Sequence, residues 1–252
     1  MSSLSRYGAV VRIGDTVRRP ARPSSASVQA VLAHLRRAGL TCVPEPMGFD
    51  DLGRDVVGYL AGDVWHDEIP EIAWRPSTLA TAGRMLRELH DATLDFEPPS
   101  DACWMLEMPS DLPVEVVCHN DFAPYNAVFR GERLDAVIDW ETAAPGARVW
   151  DLAYAAYRFV PLSLSAPPEL CETRIQAQRL ASFCDAYGAG RSDRALLLAT
   201  VARRIEAIRL LVERAVLSGS AADPRVWQEH AELYAADEAY LEASASSLGA
   251  GL

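Results

Sequence analysis

Apolar and polar residues alternate in four short segments near the start of the chain, and the pattern predicts two β-hairpins, over residues 10–19 and 47–60. The first hairpin turns at Gly14-Asp15, a two-residue turn with glycine first. Between the hairpins, apolar residues recur at helical spacing from about residue 27 to residue 38, and Gly39 ends this predicted helix. The order of strand pair, helix and strand pair predicts a small β-rich N-terminal region.

Helical periodicity dominates the chain from residue 77 onward, apart from one further hairpin near residue 130. The first of these helices is predicted over residues 77–92, with Ser77 as its N-cap. Three longer helices are predicted over residues 168–187, 193–217 and 225–246. The whole pattern predicts an α+β fold in which the larger C-terminal part is mainly helical.

The hairpin near residue 130 lies in the segment CHNDFAPYNAVFRGERLDAVIDWE, residues 118–141. Gly131-Glu132 is a plausible two-residue turn, which pairs Arg130 with Arg133. Continuing that register places Asn126 opposite Val137, only two residues before Asp139. Because paired strands lie about 4.8 Å apart, we expect the amide of Asn126 and the carboxylate of Asp139 at the same end of the hairpin.

These side chains suit phosphoryl transfer. Asp121 and Asn126 stand five positions apart, the spacing of a kinase catalytic loop of the form H-x-D-x-x-x-x-N. Asn126 and Asp139 offer hard oxygen ligands of the kind that Mg²⁺ prefers. Asp121 precedes the hairpin and could accept the proton of an attacking hydroxyl, while His119 is expected to brace the loop. The alternative is that an Asx-rich turn before a hairpin is only a turn.

The motifs CHNDFAPYN, VIDWE and VWDLAY resemble those of the aminoglycoside phosphotransferase family, the small-molecule branch of the protein-kinase-like fold. The resemblance implies that Asp121 is the catalytic base, that Asn126 and Asp139 hold magnesium, and that Asp151 supports the catalytic loop. It also implies a bilobal fold, with an N-lobe over residues 1–60 and a C-lobe over residues 61–252.

The N-lobe departs from the usual kinase pattern. Only Gly8 precedes the first strand, where a glycine-rich turn is expected, and Arg18 and Arg19 stand where the phosphate-binding lysine is expected. Arginine can bind phosphate bidentately, and Arg18 is the first choice because VRRP resembles an L-R-R-P variant of the family. The alternative is two solvent-facing arginines on an edge strand.

Two further nucleotide contacts are predicted in this lobe. Residues 27–38 contain no acid, so the usual lysine–glutamate pair cannot form, and only Gln29 or His34 could substitute as a hydrogen-bonding partner. The segment from Tyr59 to Ala61 would be the connector between the lobes, where the backbone meets the adenine.

Composition narrows the possible partners. The 252 residues carry a formal net charge of −11 and a pI near 4.9, which argues against nucleic-acid binding and favours a cationic acceptor. The alternative is that the negative charge only keeps the protein soluble. Five cysteines without a C-x-x-C motif indicate reduced thiols. No apolar run approaches a membrane span, and the first residues lack the apolar region of a signal peptide, so a soluble cytoplasmic protein without membrane contact is expected.

The sequence therefore predicts an enzyme that transfers phosphate from ATP, or alternatively GTP, to a hydroxyl of a small molecule, with Mg²⁺ as cofactor. The acceptor could be aminoglycoside-like, an amino-alcohol or a sugar, and Glu141 and Glu206 are candidates to meet it. The alternative is a pseudokinase-like protein that binds nucleotide or a small ligand without turnover. A metal-dependent phosphohydrolase is less favoured because it needs more carboxylates or histidines. No oligomeric state is predicted.

Overall fold

The computed structural model describes residues 10–66, 68–218 and 223–252, so Gly8 lies outside the described residues. The fold is α+β, as predicted. The strands are β1 (Val11–Ile13), β2 (Thr16–Pro20), β3 (Pro46–Phe49), β4 (Arg54–Gly58), β5 (Val116–Cys118), β6 (Ala127–Arg130), β7 (Arg133–Val137) and β8 (Ala144–Gly146). The helices are α1 (Ser25–Arg37), α2 (Glu71–Trp74), α3 (Pro76–Asp91), α4 (Arg148–Phe159), α5 (Thr173–Tyr187), α6 (Arg191–Leu217) and α7 (Pro224–Leu248).

The first four strands form one antiparallel sheet in the order β1-β2-β4-β3, which contains both predicted N-terminal hairpins. Ile13 pairs with Thr16 across the first turn, where Gly14 has a φ of +60° that glycine adopts readily. In the pairing of β2 with β4, Arg19 lies directly opposite Asp55. Two residues that face each other in an antiparallel pair project from the same side of the sheet, so this register brings a cation and an acid together.

Helix α1 begins two residues before its predicted start and ends within one residue of its predicted end. Its apolar face, formed by Val28, Val31, Leu32 and Leu35, is buried. Gly39 follows the helix with a φ of +90°, which confirms the predicted stop.

The hairpin of β6 and β7 has the predicted turn but not the predicted register throughout. Arg130 pairs with Arg133, as expected, yet Val137 lies opposite Ala127 and not opposite Asn126. A β-bulge between Val128 and Phe129 causes this one-residue shift, because a bulge sets two residues of one strand against one of the other. Asn126 instead ends a single turn of 3₁₀ helix, Pro124–Asn126.

Helices α3, α4 and α5 differ from the sequence-based expectation. Helix α3 begins at Pro76, which suits a first helical position, so Ser77 lies inside the helix and is not its N-cap. Helix α5 begins at Thr173, after a separate 3₁₀ turn at Pro168–Leu170. Helix α4 was not predicted. Ten of its 12 residues are buried in the structure.

The chain divides into two compact units, one of residues 1–70 and 87–148, the other of residues 71–86 and 149–252. The predicted lobe boundary after residue 60 stays a prediction. Within the described ranges, no helix combines the length and apolarity needed to cross a membrane.

The segment after β4 is attached to β6 by a two-way backbone bridge, in which Asp63 and Phe129 each donate an N–H to the other's carbonyl at 2.9 Å. Gly62 precedes this bridge with a φ of +155°, and a Cβ there would lie 2.5 Å from both the Phe129 carbonyl oxygen and the Val128 Cγ1. The close approach of the two backbones therefore requires glycine at residue 62.

We expect Gly62→Ala to lower the free energy of unfolding by about 3 kcal/mol, because the added methyl group must displace the backbone of β6. Gly53→Ala is the matched control, since Gly53 also has positive φ but a Cβ there meets nothing within 4 Å. The control should cost only about 1 kcal/mol. Urea unfolding of both variants measures the difference, and equal losses would contradict the steric argument.

Candidate active site

His119 holds the backbone of the loop that follows β5. Its Nδ1 accepts the backbone N–H of Asp121 at 3.2 Å, and its Nε2 lies 3.1 Å from the carbonyl oxygen of Ile138. These two contacts fit a neutral imidazole with its proton on Nε2. The ring packs on the indole of Trp140, with ring centroids 4.6 Å apart. His119 therefore ties the loop of Asp121 to the end of β7 and is engaged in structure, as its predicted bracing role requires.

The carboxylate of Asp121 is oriented by two side chains. The Tyr125 hydroxyl donates to Oδ1, and the Asn126 Nδ2 donates to Oδ2 at 2.9 Å and to the Asp121 carbonyl at 2.9 Å. Hydrogen bonds to both oxygens fix the direction of the carboxylate. Sequence reasoning missed Tyr125, although its place four residues after Asp121 was visible in the loop motif.

One backbone hydrogen bond joins Asn126 to the residue before Asp139. Ile138 donates its N–H to the carbonyl oxygen of Asn126 at 2.9 Å, and Asp139 is the next residue. The amide nitrogen of Asn126 is used by Asp121, so its amide oxygen is the end suited to a cation. Asp139 adopts a left-handed conformation with φ of 64° and ψ of 62°, which is uncommon outside glycine. The hairpin thus brings both predicted metal ligands together despite the shifted register.

The electrostatics around Asp139 favour a bound cation. Burial among the surrounding atoms raises the pKa of Asp139 to about 6, and the negative charges of Glu141 and Asp121 add to this, while Arg19 and Arg22 oppose it. The side chain nonetheless keeps 44% of its surface accessible to solvent, so an ion can reach it. A carboxylate that an ion can reach, and whose negative charge is unfavourable without a cation, fits Mg²⁺.

Few acidic groups or histidines surround this position. The described ranges hold no group of three or more histidine, cysteine, aspartate or glutamate side chains arranged to bind a metal. A site with one carboxylate and one amide oxygen is too sparse for a structural metal cage. It suits a magnesium ion that keeps its waters and the phosphates of a nucleotide as further ligands.

Two arginines from β2 and the segment after it reach the acids of this site. The Arg19 Nη1 lies 3.3 Å from the Asp139 Oδ1, and the Arg22 Nε lies 2.9 Å from the Glu141 Oε2. Arg22 was not singled out from the sequence, because its partner is 119 residues away. Its side chain is largely exposed, so this pair contributes little to stability. Glu141, predicted on the acceptor side, is held by Arg22.

Arg18 and Arg19 point to different surroundings, because consecutive residues of a strand face opposite sides of the sheet. Arg18 NH1 bonds the Asp50 carboxylate at 3.2 Å, in the turn between β3 and β4. Arg19 alone of the two contacts Asp139. The structure therefore brings Arg19 to the candidate metal ligands and leaves Arg18, the first choice from the sequence, with Asp50.

The backbone after β4 is partly engaged. Tyr59 donates its N–H to the Asp15 carbonyl at 2.8 Å, and the Ala61 carbonyl accepts from Arg130 Nε at 3.1 Å. The guanidinium of Arg12 covers the Tyr59 ring at 3.5 Å. The groups of this segment suited to an adenine edge are thus the carbonyl of Tyr59 and the N–H of Ala61.

The two remaining predicted site residues belong to the other compact unit. Asp151 is fully buried on α4, and Glu206 is exposed on α6. The neighbouring Arg209 pairs with Glu213 and with Glu238, each at 2.8 Å.

Comparison with known sequences gives two matches. The sequence profile of the phosphotransferase enzyme family matches residues 99–197, which contain the catalytic loop and the β6–β7 hairpin. The trifolitoxin immunity protein of Rhizobium leguminosarum bv. trifolii is 31% identical over 192 residues, which cover 73% of this chain and 72% of that protein.

Solved structures share the fold at lower identity. A choline/ethanolamine kinase family protein from Mesorhizobium loti superposes with a TM-score of 0.66 at 19% identity, covering 96% of this chain and 88% of its own. A spectinomycin phosphotransferase, solved with ADP and spectinomycin, gives a TM-score of 0.59 at 13% identity, covering 91% and 85%. The kinase-like fold expected from the sequence motifs is thereby confirmed.

Proposed function

Because this chain belongs to the phosphotransferase enzyme family, we propose that it transfers the γ-phosphoryl group of ATP to a hydroxyl of a small molecule, with magnesium as cofactor. In this reaction the hydroxyl oxygen forms a bond to the γ-phosphorus, and the bond between that phosphorus and the oxygen of the departing ADP breaks. The hydroxyl proton passes to the carboxylate of Asp121.

The observation that carries the proposal is the orientation of Asp121. Tyr125 and Asn126 donate to its two oxygens, and Asn126 also lies one backbone hydrogen bond from the residue before Asp139. Asp121 therefore accepts a proton from a fixed position, close to the place where the phosphates are bound. Positioning of this kind supplies much of the rate in phosphoryl transfer.

Asn126 and Asp139 would hold the magnesium, which when bound offsets the negative charge of the phosphates. On the nucleotide side, Arg19 is the proposed phosphate contact, and the Tyr59 carbonyl and Ala61 N–H are the proposed adenine contacts. The same backbone groups could also contact the guanine of GTP. The assay below therefore compares ATP and GTP as phosphoryl donors. Asp151 stays a proposed support of the catalytic loop.

For the acceptor, we propose a small hydroxyl-bearing molecule with an amino group. The net charge of −11 supports attraction of a cationic molecule. The names of the similar proteins point to ethanolamine, choline and spectinomycin, all of which carry nitrogen and hydroxyl groups. The name of the 31% identical relative indicates immunity to a toxin, which adds a toxin as a candidate acceptor. Glu206 remains a proposed acceptor-side residue.

The second candidate is a protein that binds nucleotide without turnover. The absence of an acid in α1 motivated it, since kinases use that acid to hold the phosphate-binding cation. The contact between Arg19 and Asp55, at 2.8 Å, supports the enzyme instead, because β4 supplies an acid to the cation.

The test is acceptor-dependent release of ADP, with ATP and GTP compared as donors, against ethanolamine, choline, spectinomycin, aminoglycosides and sugars. Mass spectrometry should detect the phosphorylated acceptor, and chelation of Mg²⁺ should abolish its formation. Binding of Mg-ATP without any phosphorylated product over the whole panel would favour the binding protein.

A further inference from the structure

Arg19 is the proposed phosphate-binding cation. It is not held by an acid on α1, where the fold leads one to expect an acid. Arg19 Nε donates to the Asp55 Oδ2 at 2.8 Å, across the β2–β4 register that sets these two residues opposite each other. Asp55 is only 1% exposed and Arg19 18% exposed. The pair is therefore largely desolvated, and its geometry is fixed by strand pairing.

Gln29 takes the place in α1 where an acid is missing. Its Nε2 donates to the other carboxylate oxygen of Asp55 and, at 2.9 Å, to the carbonyl of Val56. Its Oε1 accepts the N–H of Gly48 at 3.0 Å. Because all three contacts are made by one buried side chain, the Asp55 carboxylate has a fixed orientation relative to α1 and to both β3 and β4.

The contact with Asp55 uses only the Nε edge of the guanidinium. Arg19 Nη1 extends to Asp139 Oδ1 at 3.3 Å, so this terminal nitrogen lies at one of the two candidate metal ligands. A guanidinium can be held at one edge and bind a phosphate with the other, because it has five N–H donors in one plane. A lysine offers a single nitrogen for both tasks.

We propose that Asp55 is the positioning residue for Arg19, and that Gln29 orients Asp55, so that a strand acid and a helix amide together replace a helix acid. The inference rests on the proposed function, since it assigns Arg19 to the phosphates of the nucleotide. It predicts that Asp55 acts on the binding of phosphate and not on the binding of adenosine.

The test measures the affinity of Mg-ATP and of adenosine by calorimetry in the wild type, Asp55→Asn and Gln29→Met. Asp55→Asn should weaken Mg-ATP about tenfold, as expected for a lost hydrogen bond between charged groups, and leave adenosine within about twofold. Gln29→Met should weaken Mg-ATP in the same direction by less, and it serves alone if Asp55→Asn does not fold.

Asp50→Asn is the matched control, because it removes the carboxylate that pairs with Arg18 and Arg54. It should leave Mg-ATP affinity within about twofold. Unchanged Mg-ATP affinity in Asp55→Asn, or an equal loss for Mg-ATP and adenosine, would overturn this inference. A wild type that binds neither ligand would overturn the proposed function itself.

Discussion

Replacing Asp139 with asparagine is expected to lower kcat about a thousandfold. This effect and the effect of Asp121→Asn are the two largest that we predict. The asparagine keeps the size of the side chain but removes the charge that would bind Mg²⁺ between protein and phosphates. It also removes one of the two carboxylates that Arg19 contacts, the one 3.3 Å away. Because the neutral amide is a weaker ligand, the Mg²⁺ concentration for half-maximal rate should rise as well.

Steady-state rates over a range of Mg²⁺ concentrations measure both effects of Asp139→Asn. Asp135→Asn is the control, since Asp135 lies on β7, the strand that leads to Asp139, and pairs with Arg130 and Arg133. It should keep kcat within about twofold. If Asp139→Asn retained more than about a tenth of the wild-type rate at ordinary Mg²⁺, Asp139 would not be a metal ligand.

Local spacing explains why the centre of the site could be predicted from the sequence. Asp121, Asn126 and Asp139 lie within 19 consecutive residues, and a single hairpin determines their proximity. The bulge moved the register by one residue, yet Asn126 and Asp139 remain at the same end of the hairpin, because both lie just beyond the open end of the strands. A prediction based on an end of a hairpin tolerates such a shift, whereas one based on a face of the sheet does not.

The choice between Arg18 and Arg19 is a prediction that depends on a face of the sheet. Adjacent strand residues face opposite sides, so the choice depends on how β2 pairs with β4, and that register is not readable from either strand alone. The acid that decides it, Asp55, is 36 residues from Arg19. Kinases usually place this acid on the helix that corresponds to α1, so an acid on β4 was not predicted.

Pairs distant in sequence were missed for the same reason. Arg22 and Glu141 are 119 residues apart, and nothing in either local segment indicates that they meet. Tyr125 differs, because it lies inside the motif itself. The motif assigns roles to the aspartate and asparagine of the loop but none to this tyrosine, whose hydroxyl donates to the carboxylate of Asp121.

Asp121→Asn is expected to lower kcat by about 100- to 10,000-fold, the usual contribution of a general base. The asparagine oxygen can accept from the Asn126 amide and its new N–H can donate to the Tyr125 hydroxyl oxygen, so the loop should stay folded. The amide cannot take up a proton at neutral pH. Because Asp121 is proposed to act on the acceptor, KM for ATP should stay within about threefold. The measurement is a pair of steady-state series, one varying ATP and one varying the acceptor.

Tyr125→Phe separates orientation of the carboxylate from its chemistry. The variant leaves Asp121 intact and removes one of the two donors that fix it, so kcat should fall about tenfold, less than in Asp121→Asn. We expect the smaller effect in Tyr125→Phe because it changes only the orientation of the base, whereas Asp121→Asn removes the base itself. Equal losses in the two variants would mean that Tyr125 has a direct part in the reaction, and an unchanged kcat in Asp121→Asn would remove the base from the mechanism.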